Sequence, residues 1–158
     1  MKKSFKIGLG FGLTSGVITT LGLMMGLKSF TESKLIIIGG ILTIAIADAL
    51  SDSVGIHVAQ ESDHRTTKRD VWESSLSTFF SKFLITSSFL APIVLFSLKT
   101  AVTINILWGI SLLGTISYII AKAQNKNPFF MVAEHLGIAI FVIVSASYLQ
   151  VFVEKVFM

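Results

Sequence analysis

The sequence predicts an all-α, polytopic membrane protein with five transmembrane helices. Of its 158 residues, 53% are hydrophobic and only 14% are charged, and the mean hydropathy is +0.79. These values depart from those of soluble domains in the direction of membrane proteins. The apolar residues also fall into five stretches of about 20 residues, the length that a helix needs to cross the hydrocarbon core of a bilayer.

The charged residues interrupt the apolar sequence at intervals and so define the five spans. We expect these at Ile7–Leu27, Leu35–Ala59, Ser75–Leu98, Ala101–Ala121 and Phe130–Val153. The joining segments are too short to separate domains, so residues 1–158 are predicted to form a single transmembrane domain. Pro92 lies within the third span and predicts a kink there.

The first span could also be the apolar core of a secretory signal, because several lysines precede it. We favour a membrane helix, since the apolar stretch is longer than a normal signal core. It also carries glycines at four-residue spacing, at Gly8, Gly12 and Gly16 and again at Gly22 and Gly26. Small residues at this spacing let membrane helices pack closely against each other.

The basic residues outside the spans predict the orientation of the chain. Lys82 is not counted because it falls within the third span. Eight basic residues lie on one side: Lys2, Lys3, Lys6, Arg65, Lys68, Arg69, Lys122 and Lys126. Four lie on the other: Lys28, Lys34, Lys99 and Lys155. Cytoplasmic loops carry the excess of Lys and Arg, so the N-terminus is predicted to be cytoplasmic and the C-terminus outside, most naturally across the cell membrane.

Two carboxylates in the second span are the strongest functional signal in the sequence. Asp48 and Asp52 lie in an apolar run that holds no other charged residue before His57. A carboxylate in hydrocarbon is unfavourable unless it is compensated, so such residues usually mark a functional site. Four residues apart, the two share one face of a helix, about 40° apart around its axis and about 6 Å along it. Both could therefore bind one metal ion.

Lys82 leaves more than one interpretation of these carboxylates open. Asp48 and Asp52 could form a site for a cation or proton, or one of them could be the structural partner of Lys82. One carboxylate cannot serve both partners at once, and in an exchanger that competition could be part of the transport cycle. Alternatively, the long stem of Lys82 could carry its ammonium to the cytosolic headgroups without any acidic partner.

Further polar side chains fall at a similar predicted depth, in the cytosolic half of the membrane. To a transport pathway we assign Ser15, Thr19, Ser51, Lys82 and Glu134. Hydroxyl groups in membrane helices also bond commonly to the helix backbone, which is the alternative for the first two. A cytosolic entrance for divalent cations could be formed by Glu61, Asp63, His64, Glu134 and His135. The alternative for the first three is a solvated loop surface.

Composition excludes several classes of function. The chain has no cysteine, so a metal site must use oxygen, imidazole or thioether ligands. Of these, the thioethers of Met24 and Met25 are better explained as core packing. The net charge of +4 arises from short loops and predicts orientation rather than nucleic-acid binding. Two aspartates on one helix face make a poor acid–base pair, so we expect neither an enzyme nor a cofactor.

Two stretches resemble the vacuolar iron transporter family: Ser15-Gly-Val-Ile-Thr-Thr-Leu-Gly-Leu-Met-Met-Gly26 and Ala47-Asp-Ala-Leu-Ser-Asp-Ser-Val-Gly55. In that family a first helix with Asp-Gly-Leu-Val-(Ser/Thr)-Thr precedes a second helix with Ala-Leu-Ser-Met-Ala-x-Gly-Glu. The five spans and the proline in the third agree as well. The resemblance implies a homodimer that moves ferrous iron, and often manganese, out of the cytosol in exchange for protons along the first two helices.

The chain departs from the family pattern at the metal ligands. The family's acidic residue falls on Ser15, its methionine on Asp52 and its glutamate on Ile56, while Asp48 replaces a small residue. An all-oxygen site would suit manganese, magnesium or iron. Plant-type members also carry a long glutamate-rich cytosolic domain, where this chain has only a short loop, so the membrane site would have to load directly.

From these observations we expect an exporter of Fe2+ or Mn2+ that works by proton antiport. Asp48 and Asp52 would bind the metal when ionised and release it outside as protons return. The alternative is a non-transporting membrane assembly or interaction protein on the same scaffold, in which Asp48, Asp52 and Lys82 form structural pairs. Expected partners are therefore divalent metal ions, protons, the lipid bilayer and a second copy of the chain, but no nucleic acid.

Overall fold

The computed structural model describes residues 3–157, and this part of the chain is helical apart from short connections. Its helices are α1 (Lys3–Phe30), α2 (Lys34–Glu61), α3 (Lys68–Ser88), α4 (Leu90–Leu95), α5 (Leu98–Ala123), α6 (Pro128–Ser147) and α7 (Leu149–Phe157). Lys2, which the charge count included, lies outside the described residues.

Five helical segments are long and apolar enough to cross a membrane, as the sequence predicted. α3 and α4 together form the third segment, and α6 and α7 form the fifth. Large apolar side chains cover the outer surface of the bundle; Leu84, Leu95 and Phe141 are 65%, 73% and 72% exposed, respectively. Such a surface is stable against lipid and unstable against water, which together with the five apolar helices indicates an integral membrane protein.

The third helix begins seven residues before the predicted start of its span. Thr67 caps it, because its side chain accepts a hydrogen bond from the backbone N–H of Asp70, whose carboxylate in turn accepts from Thr67. This capping box starts a helix in a polar stretch that hydropathy assigns to a loop. The loop after α2 is correspondingly shorter than predicted. α5 likewise begins at Leu98, where it is capped by Ser97. Lys99, which was expected in a joining segment, is therefore part of the helix.

The predicted break near Pro92 is confirmed. α3 ends at Ser88 and α4 begins at Leu90, with the Phe89 N–H turned to the carbonyl of Thr86 at 3.2 Å. Proline has no N–H to donate and crowds the carbonyl four residues earlier, so the helix cannot continue unbroken. The buried Asn105 of α5 donates through Nδ2 to the Phe89 carbonyl at 2.9 Å, which satisfies a backbone group at the break.

α1 is the central helix and contacts α2, α3, α5 and α6. Its first three glycines at four-residue spacing, Gly8, Gly12 and Gly16, face α3 so closely that side chains would not fit. A Cβ atom added to Gly8 would lie 2.1 Å from the Ser74 carbonyl oxygen, and one added to Gly12 would lie 2.1 Å from Ser81 Oγ. The glycine spacing therefore sets the distance between α1 and α3.

Gly12→Ala should lower the stability of the protein by about 1–3 kcal/mol, because the new methyl group overlaps α3 and forces the helices apart. The matched control is Gly114→Ala in α5, where an added Cβ meets no atom within 4 Å. It should be neutral or stabilising, since alanine favours the helix over glycine. Thermal unfolding of both variants in detergent measures the difference, and equal midpoints would contradict the assigned packing.

Candidate functional site

Four polar side chains from three helices converge inside the bundle, and we call them the carboxylate cluster: Ser15 of α1, Asp48 and Asp52 of α2, and Lys82 of α3. The Lys82 ammonium forms ion pairs with both carboxylates, with Nζ 2.6 Å from Asp48 Oδ2. It also donates to Ser15 Oγ at 2.9 Å, and Ser15 Oγ donates to Asp52 Oδ2 at 2.7 Å. Asp48 and Asp52 thus share one helix face, as predicted, and both bind one cation. That cation is the ammonium of Lys82.

Lys82 is completely buried, with a relative exposure of 0%. The interpretation that it reaches the headgroups is therefore wrong. The reason is the close packing of α1 on α3: a Cβ atom added to Gly16 would lie 3.3 Å from Lys82 Cγ, so the lysine stem runs over a glycine. A buried ammonium requires anionic partners, and α2 supplies two of them.

The two carboxylates differ in surroundings. The side chain of Asp52 is 21% exposed and has both Lys82 and Ser15 as partners. The side chain of Asp48 is 31% exposed and pairs with Lys82 alone. With both carboxylates ionised and Lys82 protonated, the cluster carries a net charge of −1. Its oxygen donors, two carboxylates and one hydroxyl, are of the kind that hard divalent cations prefer.

The cluster offers only two acidic ligands to a metal. Within residues 3–157, no group of three or more His, Asp and Glu side chains is arranged to hold a metal ion. A metal bound here would therefore need Ser15, backbone carbonyls or water to complete its coordination, and it would have to displace Lys82.

Three of the residues assigned to the pathway lie outside the cluster. Thr19 donates to the Ser15 carbonyl at 2.9 Å, so its hydroxyl proton is bound to the α1 backbone. Ser51 is exposed on the outer face of α2, because one residue turns a helix by about 100°. Glu134 is exposed near the start of α6, a helix that packs on α1 and α5. Depth alone did not distinguish these residues from the four that converge.

The structure adds buried polar residues that sequence reasoning missed. Thr20 Oγ1 donates to Thr86 Oγ1 at 3.2 Å, between α1 and α3. Further from the end of the bundle where α1 begins, Asn105 Nδ2 lies 3.5 Å from Met24 Sδ, and Asn105 Oδ1 has no hydrogen-bond partner among residues 3–157. In the sequence, the signal for Asn105 was a polar amide side chain between two isoleucines, Ile104 and Ile106, of a predicted span. Met24 itself is fully buried in the core.

A pocket of about 370 Å³ lies between the end of α2 and the start of α3, and His57, Glu61, Lys68 and Trp72 line it. His57 is fixed by a 3.2 Å contact between Nδ1 and Ser75 Oγ and by edge-to-face packing on Trp72.

Of the residues expected at a cytosolic entrance, only Glu61 lines this pocket. Asp63 and His64 are exposed in the loop after α2, where Asp63 Oδ1 accepts from the Arg65 backbone. His135 instead joins α6 to α5 through a 2.7 Å contact between Nδ1 and Ser117 Oγ.

Lys82→Met should destabilise the protein by about 3–5 kcal/mol, because it leaves two carboxylates in the bundle without a counter-charge. The triple variant Lys82→Met, Asp48→Asn, Asp52→Asn should recover most of that loss, since it removes the charges together. Thermal unfolding in detergent measures both effects. A triple variant no more stable than the single one would show that the ion pairs are not the source of the loss.

Comparison with protein-family models, with curated proteins and with solved structures finds no match to this chain.

Proposed function

We propose that the protein is a membrane transporter that exports a divalent metal ion, Fe2+ or Mn2+, from the cytosol in exchange for protons. The observation that carries the proposal is the convergence of Asp48 and Asp52 on a single cation position inside the membrane-spanning bundle. Ion paths and proton relays are the usual reason for ionisable residues at such a depth. The resemblance of α1 and α2 to vacuolar iron transporters supports the same assignment.

In this mechanism the Lys82 ammonium competes with the transported ion for the carboxylates of Asp48 and Asp52. A metal arriving from the cytosol binds Asp48, Asp52 and Ser15, and the Lys82 ammonium gives up its proton to the cytosolic side and withdraws. A proton arriving from the outside restores the ammonium, which reoccupies the carboxylates and expels the metal outward. The sum is one metal ion moved out against one proton moved in through Lys82.

Two further features fit a route across the bundle. The pocket that holds His57 and Glu61 lies about one and a half to two and a half turns beyond Asp52 on α2, at the end of the bundle where Lys68 and the other basic residues cluster. By the excess of Lys and Arg, that end is cytosolic in our proposal, with the C-terminus outside and the cell membrane as location. Towards the other end, Thr20, Thr86 and Asn105 continue the buried polar groups.

We also propose that the protein works as a homodimer through α2. Small residues recur every four positions on the exposed face of this helix: Gly39, Thr43, Ala47, Ser51, Gly55 and Ala59. An added Cβ at Gly39 or Gly55 would meet no atom within 4 Å, so this face is open. Small residues at this spacing are typical of close helix pairs in membranes. Asp48 and Asp52 flank the face and would come near the second copy.

A second function has support from one specific contact. The Lys82 ammonium already occupies the cation position between the two carboxylates, as it would in a structural ion pair. In that case the protein would be a non-transporting membrane assembly or interaction protein, and α2 would serve only to join copies or partners. The two functions differ in whether a metal ion can replace Lys82.

Transport in proteoliposomes tests the main proposal. Wild-type protein should take up Mn2+ or Fe2+ with opposing proton flux, and Asp48→Asn and Asp52→Asn should each lower the rate at least about tenfold, because each removes a charged ligand. Glu154→Gln, at an exposed carboxylate of α7, is the matched control and should transport normally. Undiminished flux in both aspartate variants would reject the assigned site.

Metal binding to Lys82→Met separates the two functions. If Lys82 competes with the metal, its removal should tighten Mn2+ binding at least about tenfold, or 1.4 kcal/mol, while transport falls because the returning ammonium is missing. Mn2+ should then raise the unfolding temperature of Lys82→Met more than that of the wild type. An unfolding temperature that Mn2+ leaves unchanged in both proteins would favour the structural function.

Gly55→Leu tests the dimer. The bulky side chain should block the approach of a second α2 and convert the protein to a monomer, with no loss of stability within each copy. Gly114→Leu is the control, because Gly114 is equally open but lies on α5. Light scattering of the detergent-solubilised variants measures the mass. A wild-type monomer, or an unchanged dimer of Gly55→Leu, would contradict the proposal.

A further inference from the structure

A groove of about 530 Å³ separates α1 from α5 at the end of the bundle where α1 begins and α5 ends. Its walls are apolar and come from Ile7 and Leu13 of α1 and from Ile116 and Ile120 of α5. Gly10 forms part of the floor, where an added Cβ would lie 3.3 Å from Ile120 Cδ1. The volume falls within the range of about 300–1,000 Å³ that is typical of pockets for small organic ligands.

The mouth of the groove is positively charged. Lys3 and Lys6 lie three residues apart on the same side of α1, both are exposed, and both line the groove. Neither forms an ion pair with another residue of the range 3–157. Two acidic residues near the start of α3, Asp70 and Glu73, accept hydrogen bonds from Ser4, which is buried against α3.

We propose that this groove binds one anionic phospholipid of the surrounding bilayer. An acyl chain lies along Ile7, Leu13, Ile116 and Ile120, and the phosphate group lies between the ammonium groups of Lys3 and Lys6. Basic pockets between membrane helices at the level of the headgroups are the usual sites of this lipid class. A soluble anion would satisfy the lysines but leave the apolar walls uncovered, whereas a phospholipid with a net negative charge matches both halves of the groove.

A lipid in this position has a structural effect on the bundle. It bridges α1 and α5 at an end where the groove separates them, and so holds α1 against the rest of the bundle. Binding should therefore raise the unfolding temperature, because the ligand binds the folded state alone. The site is separate from the carboxylate cluster, and the inference holds whether or not the protein transports metal.

The test uses the full chain in detergent, with lipid binding followed by native mass spectrometry and by thermal unfolding. Phosphatidylglycerol should bind and stabilise the wild type more than phosphatidylcholine does. The double variant Lys3→Gln, Lys6→Gln should bind phosphatidylglycerol about 25-fold more weakly, at about fivefold for each lysine. The matched control, Lys34→Gln, Lys99→Gln at the opposite end of the bundle, should bind it as the wild type does.

A second variant tests the apolar part of the groove. Ala123→Trp, at an exposed position of the lining, should fill the groove and weaken lipid binding while both lysines remain. Glycerol phosphate, which carries the charge without acyl chains, should not stabilise the wild type. The proposal is overturned if glycerol phosphate stabilises as well as the lipid does, if phosphatidylcholine binds equally, or if the lysine variant and its control behave alike.

Discussion

The arrangement of α1, α2 and α3 depends on one buried ammonium. Lys82 is fully enclosed, and its ammonium pairs with two carboxylates that both lie on α2. Ser15 binds both the ammonium and one carboxylate, so a single group of contacts ties three helices together. In a medium without water, removing Lys82 alone would leave two carboxylates without a counter-charge.

The glycines of α1 make this arrangement possible. Gly8, Gly12 and Gly16 let α3 approach so closely that a methyl group at any of them would overlap a neighbouring atom. Gly16 lies beneath the Lys82 stem, which brings the ammonium across α1 to the carboxylates of α2. The buried ion pairs therefore depend on the close packing of α1 against α3. A wider spacing between these two helices would admit lipid or water and would no longer hold Lys82 in this position.

Much of this fold was predictable from sequence, and the reasons for the exceptions are physical. Hydropathy found five spans, and the rise and turn of a helix placed Asp48 and Asp52 on one face at the depth of Ser15 and Lys82. The start of α3 was missed because a capping box, and not hydropathy, determines it. Ser51 and Glu134 lie outside the carboxylate cluster. One residue of helix turn carries Ser51 away from Asp52, and the depth of Glu134 in its span does not give the direction in which α6 faces.

The charge of the carboxylate cluster bears on the choice between a structural and a transporting role. A structural pair needs one carboxylate for one ammonium, and Asp52, with Lys82 and Ser15 as partners, already provides it. Asp48 adds a second negative charge, and partly burying that charge is unfavourable. Because Asp48 lies on the same helix as Asp52, it links Lys82 to no further helix. The pair of carboxylates is thus better matched to a divalent cation than to the single charge of the ammonium. With both carboxylates ionised and Lys82 protonated, one negative charge remains in excess, and this residual charge supports the proposed exchange over a purely structural role.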